Sequence, residues 1–509
     1  MVSGVEKRSL GEQAIPGVLV VVVLTAIVFL FFFTFRPLEF SDNSIHYMDS
    51  ARRSTFAAPH FYPPHLLHAP MIDTAWSLFS TLGNCDLFCS ATLYVGLWGT
   101  AGIVATFLLA TSLLGSRAGG LATAIGLAVA HGYWVYAGQP EVYVPTVGAT
   151  MIALALLATA GPVLQAGRIV LAAVFWAFAC FFHLASVVLF VPFAILVLGR
   201  WGLGAWHRLV ALYAVTGGIV LAGFLTAYGW VGARPLSAEG FLGWVLEITD
   251  RPLTDWGSTA NLLSVGQLVR AVWSQVKALV LLPEVLTLPL SPPFDQLPIA
   301  VLVGSAIAAT LLWNLVQLVR RAELAVERAT LLATFGCLFV FFSWWDTSVH
   351  KFFIPSSAPL ILLAAIALRD VARRLGEAGR DRLAATVAAV LATMFLFNAA
   401  SVARNAASGS TGPRWGHCSC STTGRTSASS PACRRTFICG PWARRPPIRR
   451  PSRVSLAPSC RSAGSRAAIS SRRCGPTCRT GDGRISSPTS WTPAPARKAA
   501  GSATTRPRS

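Results

Sequence analysis

Apolar residues in this chain occur in continuous runs of roughly 20, separated by polar segments. A helix of that length crosses the bilayer core, which is about 30 Å thick. Because lipid offers no hydrogen-bond partners, each run must satisfy its own backbone groups, and helices are predicted throughout. We therefore predict an all-α fold, a polytopic bundle of about eleven transmembrane helices. The predicted spans are 15–35, 92–113, 117–136, 143–160, 168–182, 183–199, 208–231, 298–319, 329–345, 353–368 and 383–402.

Two of these spans leave an alternative open. The stretch 168–199 is one long apolar run, so it is either two short helices bent at Phe182-His183 or one long tilted helix. The first run, 15–35, is too long for a signal-peptide core and lacks a small-residue cleavage site, so we interpret it as a retained span.

The positions of Lys and Arg predict the orientation. Basic residues near the spans fall in alternate short loops, and such residues favour the cytoplasmic side. The N-terminus is therefore predicted to be cytoplasmic, and two long loops, from 36 to about 91 and from about 232 to 297, face outward. We expect interfacial helices in the first loop. In the second, the segment 262–282 has a helical apolar period and predicts an amphipathic helix at the interface, with a further buried span as the alternative.

The net charge of +21 does not indicate nucleic-acid binding, because the excess of basic residues is confined to the C-terminal part of the chain. Residues 403–509 carry a net charge of +19, whereas residues 1–402 carry only +2. We divide the chain into a membrane domain, 1–402, and a tail, 403–509, rich in Arg, Ser, Pro and Cys and predicted to be disordered. The tail resembles an out-of-frame translation of a GC-rich gene; a genuine basic tail is the alternative, and the coding DNA decides between them.

Cysteine spacing and motif searches narrow the function. Cys85 and Cys89 are four residues apart in the first outward loop, and a disulfide between them stays open. No cysteine pair has zinc-type spacing with histidine. The sequence contains no P-loop and no dinucleotide fingerprint, which argues against ATP-driven transport.

The first outward loop concentrates proton-transfer groups. Asp42 lies just after the first span, with Asp49 further on and with His46 and His65 nearby. A carboxylate at the membrane surface can accept a proton from an incoming hydroxyl. The alternative is that Asp42 caps a helix that starts at Asn43.

Glu141 stands in a tight outward turn and is the only charged residue between Arg117 and Arg168. Carboxylates at membrane depth are costly and usually functional. Aromatic neighbours such as Tyr143 offer faces on which sugar rings pack. A solvated turn residue after Gln139-Pro140 is the alternative.

A third group of polar residues follows span 329–345, where His350 and Lys351 face the outer layer beside tryptophans. A cation there can stabilise a phosphate leaving group. Interfacial anchoring is the alternative, and Arg36, Arg234 and Arg251 are other candidates for the phosphate. His183, a lone histidine in an apolar run, is interpreted as a packing residue.

Taken together, the segments SDNSIHY, PHFYPPHLLHAP, WVYAGQPEVYVPT and WDTSVHKFFIP resemble the C-type (GT-C) polyprenyl-phosphate-sugar-dependent membrane glycosyltransferases, and among them the protein O-mannosyltransferase group. The resemblance covers roughly residues 15–400 and implies inverting transfer of a sugar, mannose in that group, on the outer face of a bacterial plasma membrane. The donor is a polyprenyl-phosphate-linked sugar, the acceptor a protein or glycan hydroxyl, and membrane lipid surrounds the site.

The same resemblance assigns roles to residues. Asp42 is the general base, with Asp49 in reserve, and Glu141 assists it or orients substrate. His350 or Lys351 stabilises the departing phosphate, while His46, His65 and Tyr143 contact substrate. Many relatives have an acidic pair where this chain has Asp42-Asn43, so no metal ligand is assigned and a divalent metal stays an open cofactor. The rival functions are a transporter or flippase of lipid-linked saccharides and a non-catalytic scaffold.

Overall fold

A computed structural model describes residues 10–37, 40–53, 61–83, 85–161, 166–231, 237–245, 257–281 and 296–408. Every regular element among these residues is helical. The α-helices are α1 (Leu10–Thr34), α2 (Asp42–Arg53), α3 (His68–Gly83), α4 (Leu87–Leu114), α5 (Arg117–Ala128), α6 (His131–Ala137), α7 (Tyr143–Ala158), α8 (Ala166–Phe182), α9 (Phe190–Trp201), α10 (Trp206–Val231), α11 (Ala238–Val245), α12 (Thr259–Leu263), α13 (Val265–Leu279), α14 (Leu297–Val319), α15 (Ala325–Trp345), α16 (Ile354–Arg374) and α17 (Glu377–Ser408).

The predicted spans all fall on helices. Within the described residues, eight helical segments are long and apolar enough to cross a membrane, and a ninth is counted if the bent pair α5–α6 forms one span. Two shorter apolar helices, α7 and α8, occupy the predicted spans 143–160 and 168–182. The all-α polytopic architecture is thus confirmed.

Three details differ from, or decide between, the sequence-based expectations. The predicted span 117–136 is two helices that meet at about Val129 and Ala130 with a bend of 70°. The run 168–199 breaks after Phe182, and a short 3-10 helix, Leu184–Leu189, leads into α9, so the two-helix interpretation is correct. The last predicted span, 383–402, is part of a longer helix, because α17 runs from Glu377 to Ser408; the residues beyond it lie outside the described part of the chain, so the disordered tail stays a prediction.

The helices α4 and α7 approach each other through small residues. A Cβ added at Gly148 would lie 2.6 Å from the Trp98 carbonyl oxygen, and one at Gly102 would lie 2.4 Å from the Tyr133 hydroxyl. That hydroxyl donates to the Gly99 carbonyl over 2.8 Å. The absence of a side chain at Gly102 and Gly148 therefore lets the backbones of α4 and α7 approach closely and leaves room for the Tyr133 hydroxyl. Small residues are common where membrane helices pack closely.

The two long loops that are predicted to face outward also contain helices, as expected. In the first loop α2 and α3 flank a 3-10 turn at Pro63–His65, and Cys85 and Cys89 form a disulfide just before and within the start of α4. In the second loop α13 covers most of the predicted amphipathic segment. Its Gln275 is 1% exposed; it donates to Ser357 over 3.0 Å and accepts from Ser356 over 2.5 Å. This pairing fixes α13 against the first turn of α16.

The opposite end of the bundle contains a buried ionic network. Arg328, which precedes the predicted span 329–345, lies in the first turn of α15 and is 1% exposed. Its guanidinium donates to Asp370 and to Asn314, each over 2.6 Å. These bonds compensate the cost of burying the charge and connect α14, α15 and α16.

Candidate active site

Glu141 lies in the turn between α6 and α7 and is fully buried, with 0% of its surface exposed. Its backbone N–H donates to the Gln139 carbonyl over 2.7 Å, which closes the turn. The backbone on one side of this turn packs against Arg36 and Pro37, whose atoms lie within 3.0 Å of a Cβ built on Gly138. The solvated-turn alternative is therefore wrong, and the carboxylate must find its partners inside the protein.

The first partner of Glu141 is Ser41, which the sequence analysis did not identify. The Ser41 hydroxyl donates to Oε1 of Glu141, and its oxygen also accepts the Ser44 backbone N–H over 3.1 Å. The side-chain oxygen of an N-terminal cap accepts the backbone N–H of the residue two or three positions later. Ser41, and not Asp42, therefore caps this helix. The helix begins at Asp42 rather than at Asn43, and the Asp42 side chain lies outside the described part of the structure.

The second partner is Lys351, in the 3-10 turn (His350–Phe353) that precedes α16. Its Nζ lies 3.1 Å from the same Oε1 and 5.8 Å from the centre of the Tyr143 ring. Burial raises the pKa of Glu141, and the nearby ammonium of Lys351 counteracts that rise. The pair links the start of the first loop, the 138–142 turn and the N-terminal end of α16.

Aromatic and imidazole rings continue from this ion pair. The Tyr143 ring lies 5.5 Å from His183, which lies 4.9 Å from His65. Tyr47 lies 5.6 Å from His65 and 4.8 Å from His68. These rings line one region between α2, the turn at Pro63–His65, α7 and the break between α8 and α9, and flat faces with polar edges of this kind suit a sugar ring.

The other predicted residues lie apart from the ion pair. His46 is exposed on α2, with its ring 6.1 Å from Tyr62. Asp49 pairs with Arg53 over 2.5 Å, and both side chains are more than half exposed. The ring of His350 faces Tyr136 at 6.0 Å and His131 at 6.3 Å, on a different set of neighbours from Lys351.

Of the predicted site residues, the structure brings together Glu141, Lys351, Tyr143 and His65. His183, interpreted as a packing residue, lies among them. The Arg36 guanidinium donates to the Phe33 carbonyl over 2.7 Å and stacks on the Phe33 ring. The other two arginines proposed for the phosphate, Arg234 and Arg251, lie outside the described residues. The signal for Ser41 was present in the sequence, since a serine immediately before a helix is a preferred N-terminal cap.

The described residues do not form a metal centre. Nowhere in the described ranges do three or more His, Cys, Asp or Glu side chains come together in a way that suits a metal ion. Glu141 and Lys351 instead compensate each other's charge.

Comparison with known proteins gives a structural likeness only. No protein-family model and no curated protein sequence matches the chain. The crystal structure of ArnT from Cupriavidus metallidurans bound to undecaprenyl phosphate matches with a TM-score of 0.50 and 19% identity, covering 74% of this chain and 64% of ArnT. ArnT in the apo state matches with a TM-score of 0.48 and 17% identity, covering 72% and 62%. The chain thus spans less than two thirds of the length of ArnT.

The likeness to the first of these structures establishes the fold. The chain is an integral membrane protein with the polytopic helical architecture of ArnT.

Proposed function

We propose that this protein is a membrane glycosyltransferase that moves a sugar from a polyprenyl-phosphate donor to an acceptor hydroxyl on the outer face of the plasma membrane. One observation carries the proposal. A fully buried carboxylate, Glu141, joins the residue before Asp42 to a buried lysine, beside a set of tyrosine and histidine rings. The fold agrees, because the ArnT structure that it matches was solved with undecaprenyl phosphate, a polyprenyl phosphate.

The proposed chemistry requires one base and one cation. The acceptor oxygen attacks the anomeric carbon from the face opposite the phosphate, and the carbon–oxygen bond to phosphate breaks with inversion. Asp42 takes the proton of the acceptor hydroxyl. The phosphodiester becomes a phosphomonoester and gains one negative charge, which the Lys351 ammonium stabilises.

Glu141 acts in this scheme as a positioning residue. Its carboxylate accepts from Ser41, which fixes the backbone next to Asp42, and from Lys351, which fixes the cation. Because both bonds converge on one oxygen, Glu141 sets the distance between the base and the site of the phosphate. Tyr143 and His65 contact the sugar. We further propose mannose as the sugar and a protein or glycan hydroxyl as the acceptor.

The first experiment separates an enzyme from a transporter. The purified full-length chain in lipid nanodiscs is given polyprenyl-phosphate-linked radiolabelled mannose, with peptide and glycan acceptors, and the label is followed from lipid to acceptor. In sealed proteoliposomes the same donor is tested for movement across the bilayer. Transfer of label to an acceptor supports the proposal. Movement of the intact donor without loss of its sugar overturns it and favours a flippase.

A further inference from the structure

His65 and His183 are held in opposite tautomers by the backbone at the break between α8 and α9. The Nδ1 atom of His65 lies 2.9 Å from the Phe182 carbonyl oxygen. A carbonyl can only accept, so Nδ1 carries the proton. Burial lowers the pKa of His65 to about 4, so its ring is neutral near pH 7. Its other nitrogen, Nε2, is therefore a hydrogen-bond acceptor.

His183 has the reverse arrangement. Its Nδ1 accepts the backbone N–H of Ala185 over 3.2 Å. A nitrogen that accepts cannot carry a proton, so His183 is the neutral tautomer with its proton on Nε2. That Nε2–H is a donor. Both ring orientations depend on the same interruption of the helix, because Phe182 and Ala185 lie on either side of it.

The two rings are neighbours, so one ring that carries an acceptor Nε2 lies next to a ring that carries a donor Nε2–H. Their centroids lie 4.9 Å apart at 70°, and the hydrogen bonds to Phe182 and Ala185 are both formed through Nδ1. Both side chains are only partly buried. The Tyr143 ring packs on His183 at 5.5 Å, and the Lys351 ammonium lies 5.8 Å from the centre of the Tyr143 ring. The imidazole pair therefore borders the ion pair of the candidate active site.

An acceptor beside a donor recognises a group that is both donor and acceptor. A hydroxyl has this property, whereas an ionised phosphate oxygen only accepts. We propose that His65 and His183 form a hydroxyl-binding pair that recognises the sugar of the lipid-linked donor and thereby determines sugar specificity. This inference rests on the proposed function and assigns the pair to the sugar, not to the phosphate.

Asparagine substitutions test the pair while keeping its structural bonds. In His65→Asn the side-chain amide N–H can still donate to the Phe182 carbonyl, and in His183→Asn the amide oxygen can still accept from Ala185. Each variant lacks the atom at the Nε2 position. His207→Asn is the matched control, because His207 is exposed at the start of α10.

The readout is binding to the full-length protein in nanodiscs. Affinities are measured for polyprenyl phosphate alone and for its mannosyl, glucosyl and galactosyl esters. We expect the wild type and His207→Asn to prefer one glycosylated lipid over the bare lipid. Each Asn variant should lose about 3- to 10-fold of that preference, as expected for one hydrogen bond, with affinity for the bare lipid unchanged.

Monodeoxy analogues of the preferred sugar complete the test. The analogue that lacks the recognised hydroxyl should bind the wild type about 3- to 10-fold more weakly and should bind His65→Asn no more weakly than the parent sugar does. The hydroxyl-binding role is overturned if both Asn variants keep the wild-type sugar preference, or if the wild type prefers none of the three sugars.

This binding measurement requires no turnover, so it separates the hydroxyl-binding role from the proposed function. If sugar preference depends on the histidines but no transfer occurs, the proposed function fails alone; if transfer occurs with the preference intact in the variants, the pair fails alone.

Discussion

Lys351 Nζ lies 3.1 Å from Glu141 Oε1, although 210 residues separate them along the chain. Both side chains are buried, so each charge depends on the other for compensation. Glu141→Gln leaves the ammonium buried without its counter-charge and should lower the free energy of unfolding by about 3 kcal/mol, measured by thermal or denaturant unfolding in detergent. Adding Lys351→Met should recover most of that loss, because no buried charge then remains.

The exposed pair of Asp49 and Arg53 provides the control for this cycle. Asp49→Asn should change stability by less than about 1 kcal/mol, as is usual for surface ion pairs. A double variant that is as unstable as Glu141→Gln alone would contradict the interpretation of the pair as mutually compensating.

The close approach of α4 and α7 predicts a steep cost at one glycine. Gly148→Ala places a methyl group 2.6 Å from the Trp98 carbonyl oxygen, a backbone atom that cannot rotate away. We expect a loss of about 1–3 kcal/mol of stability, typical of overpacking. Gly217→Ala on α10 is the control, since nothing lies within 4 Å of the added atom, and it should be neutral or stabilising. Equal stability of the two variants would show that α4 and α7 are not this close.

Burial of imidazoles predicts how stability depends on pH. Burial lowers the pKa of His68 to about 3 and that of His65 to about 4, from 6.5. Between pH 6.5 and about 4 the unfolded chain therefore binds protons that the folded chain does not, so stability falls as pH falls through this range. The melting temperature in detergent should decrease from pH 7 to pH 4.5.

A variant isolates the imidazole contribution from that of the carboxylates. His68→Phe keeps a ring against Tyr47 but cannot be protonated, so its melting temperature should decline less steeply over the same range. His207→Phe, at an exposed position, should keep the wild-type slope. An unchanged slope in His68→Phe means that His68 is not buried as described.

The distribution of basic residues predicts which loops face the cell exterior. Ser348 lies in the turn before α16 and Ser116 caps α5, and both are exposed. With the seven tail cysteines replaced by serine, a membrane-impermeant maleimide should label Ser348→Cys in intact cells and Ser116→Cys only after lysis. The native Cys180 is buried and serves as an internal control. The reverse labelling pattern would place the candidate site on the cytoplasmic side.

The positions of the helices could be predicted from sequence because the bilayer requirement is local. Each apolar run satisfies its own backbone, so its length alone indicates a span. The 70° bend near Ala130 was missed, since His131 and the residues around it are as apolar as a straight helix would require. The early start of α15 could not be predicted, because the buried Arg328 in its first turn is compensated by Asp370 from another helix.

The candidate site could be predicted only in part, for a similar reason. Glu141 stood out as an isolated charge, and Lys351 as a cation at the outer end of a span. Their pairing could not be predicted, because it depends on how α7 and α16 pack. The contact between Ser41 and Glu141 crosses 100 residues, and the role of His183 depends on the chain break that orients its ring.

The acidic side chain next to Ser41 is the proposed base for sugar transfer, and the most direct test of this role compares two aspartates on one helix. Transfer of radiolabelled sugar from polyprenyl phosphate is measured in membranes for Asp42→Asn and Asp49→Asn, at equal protein level. We expect Asp42→Asn to lose about 10²- to 10⁴-fold in rate, as is typical when a general base is removed. Asp49→Asn, whose carboxylate pairs with Arg53, should stay near the wild type. Wild-type transfer by Asp42→Asn would contradict the account.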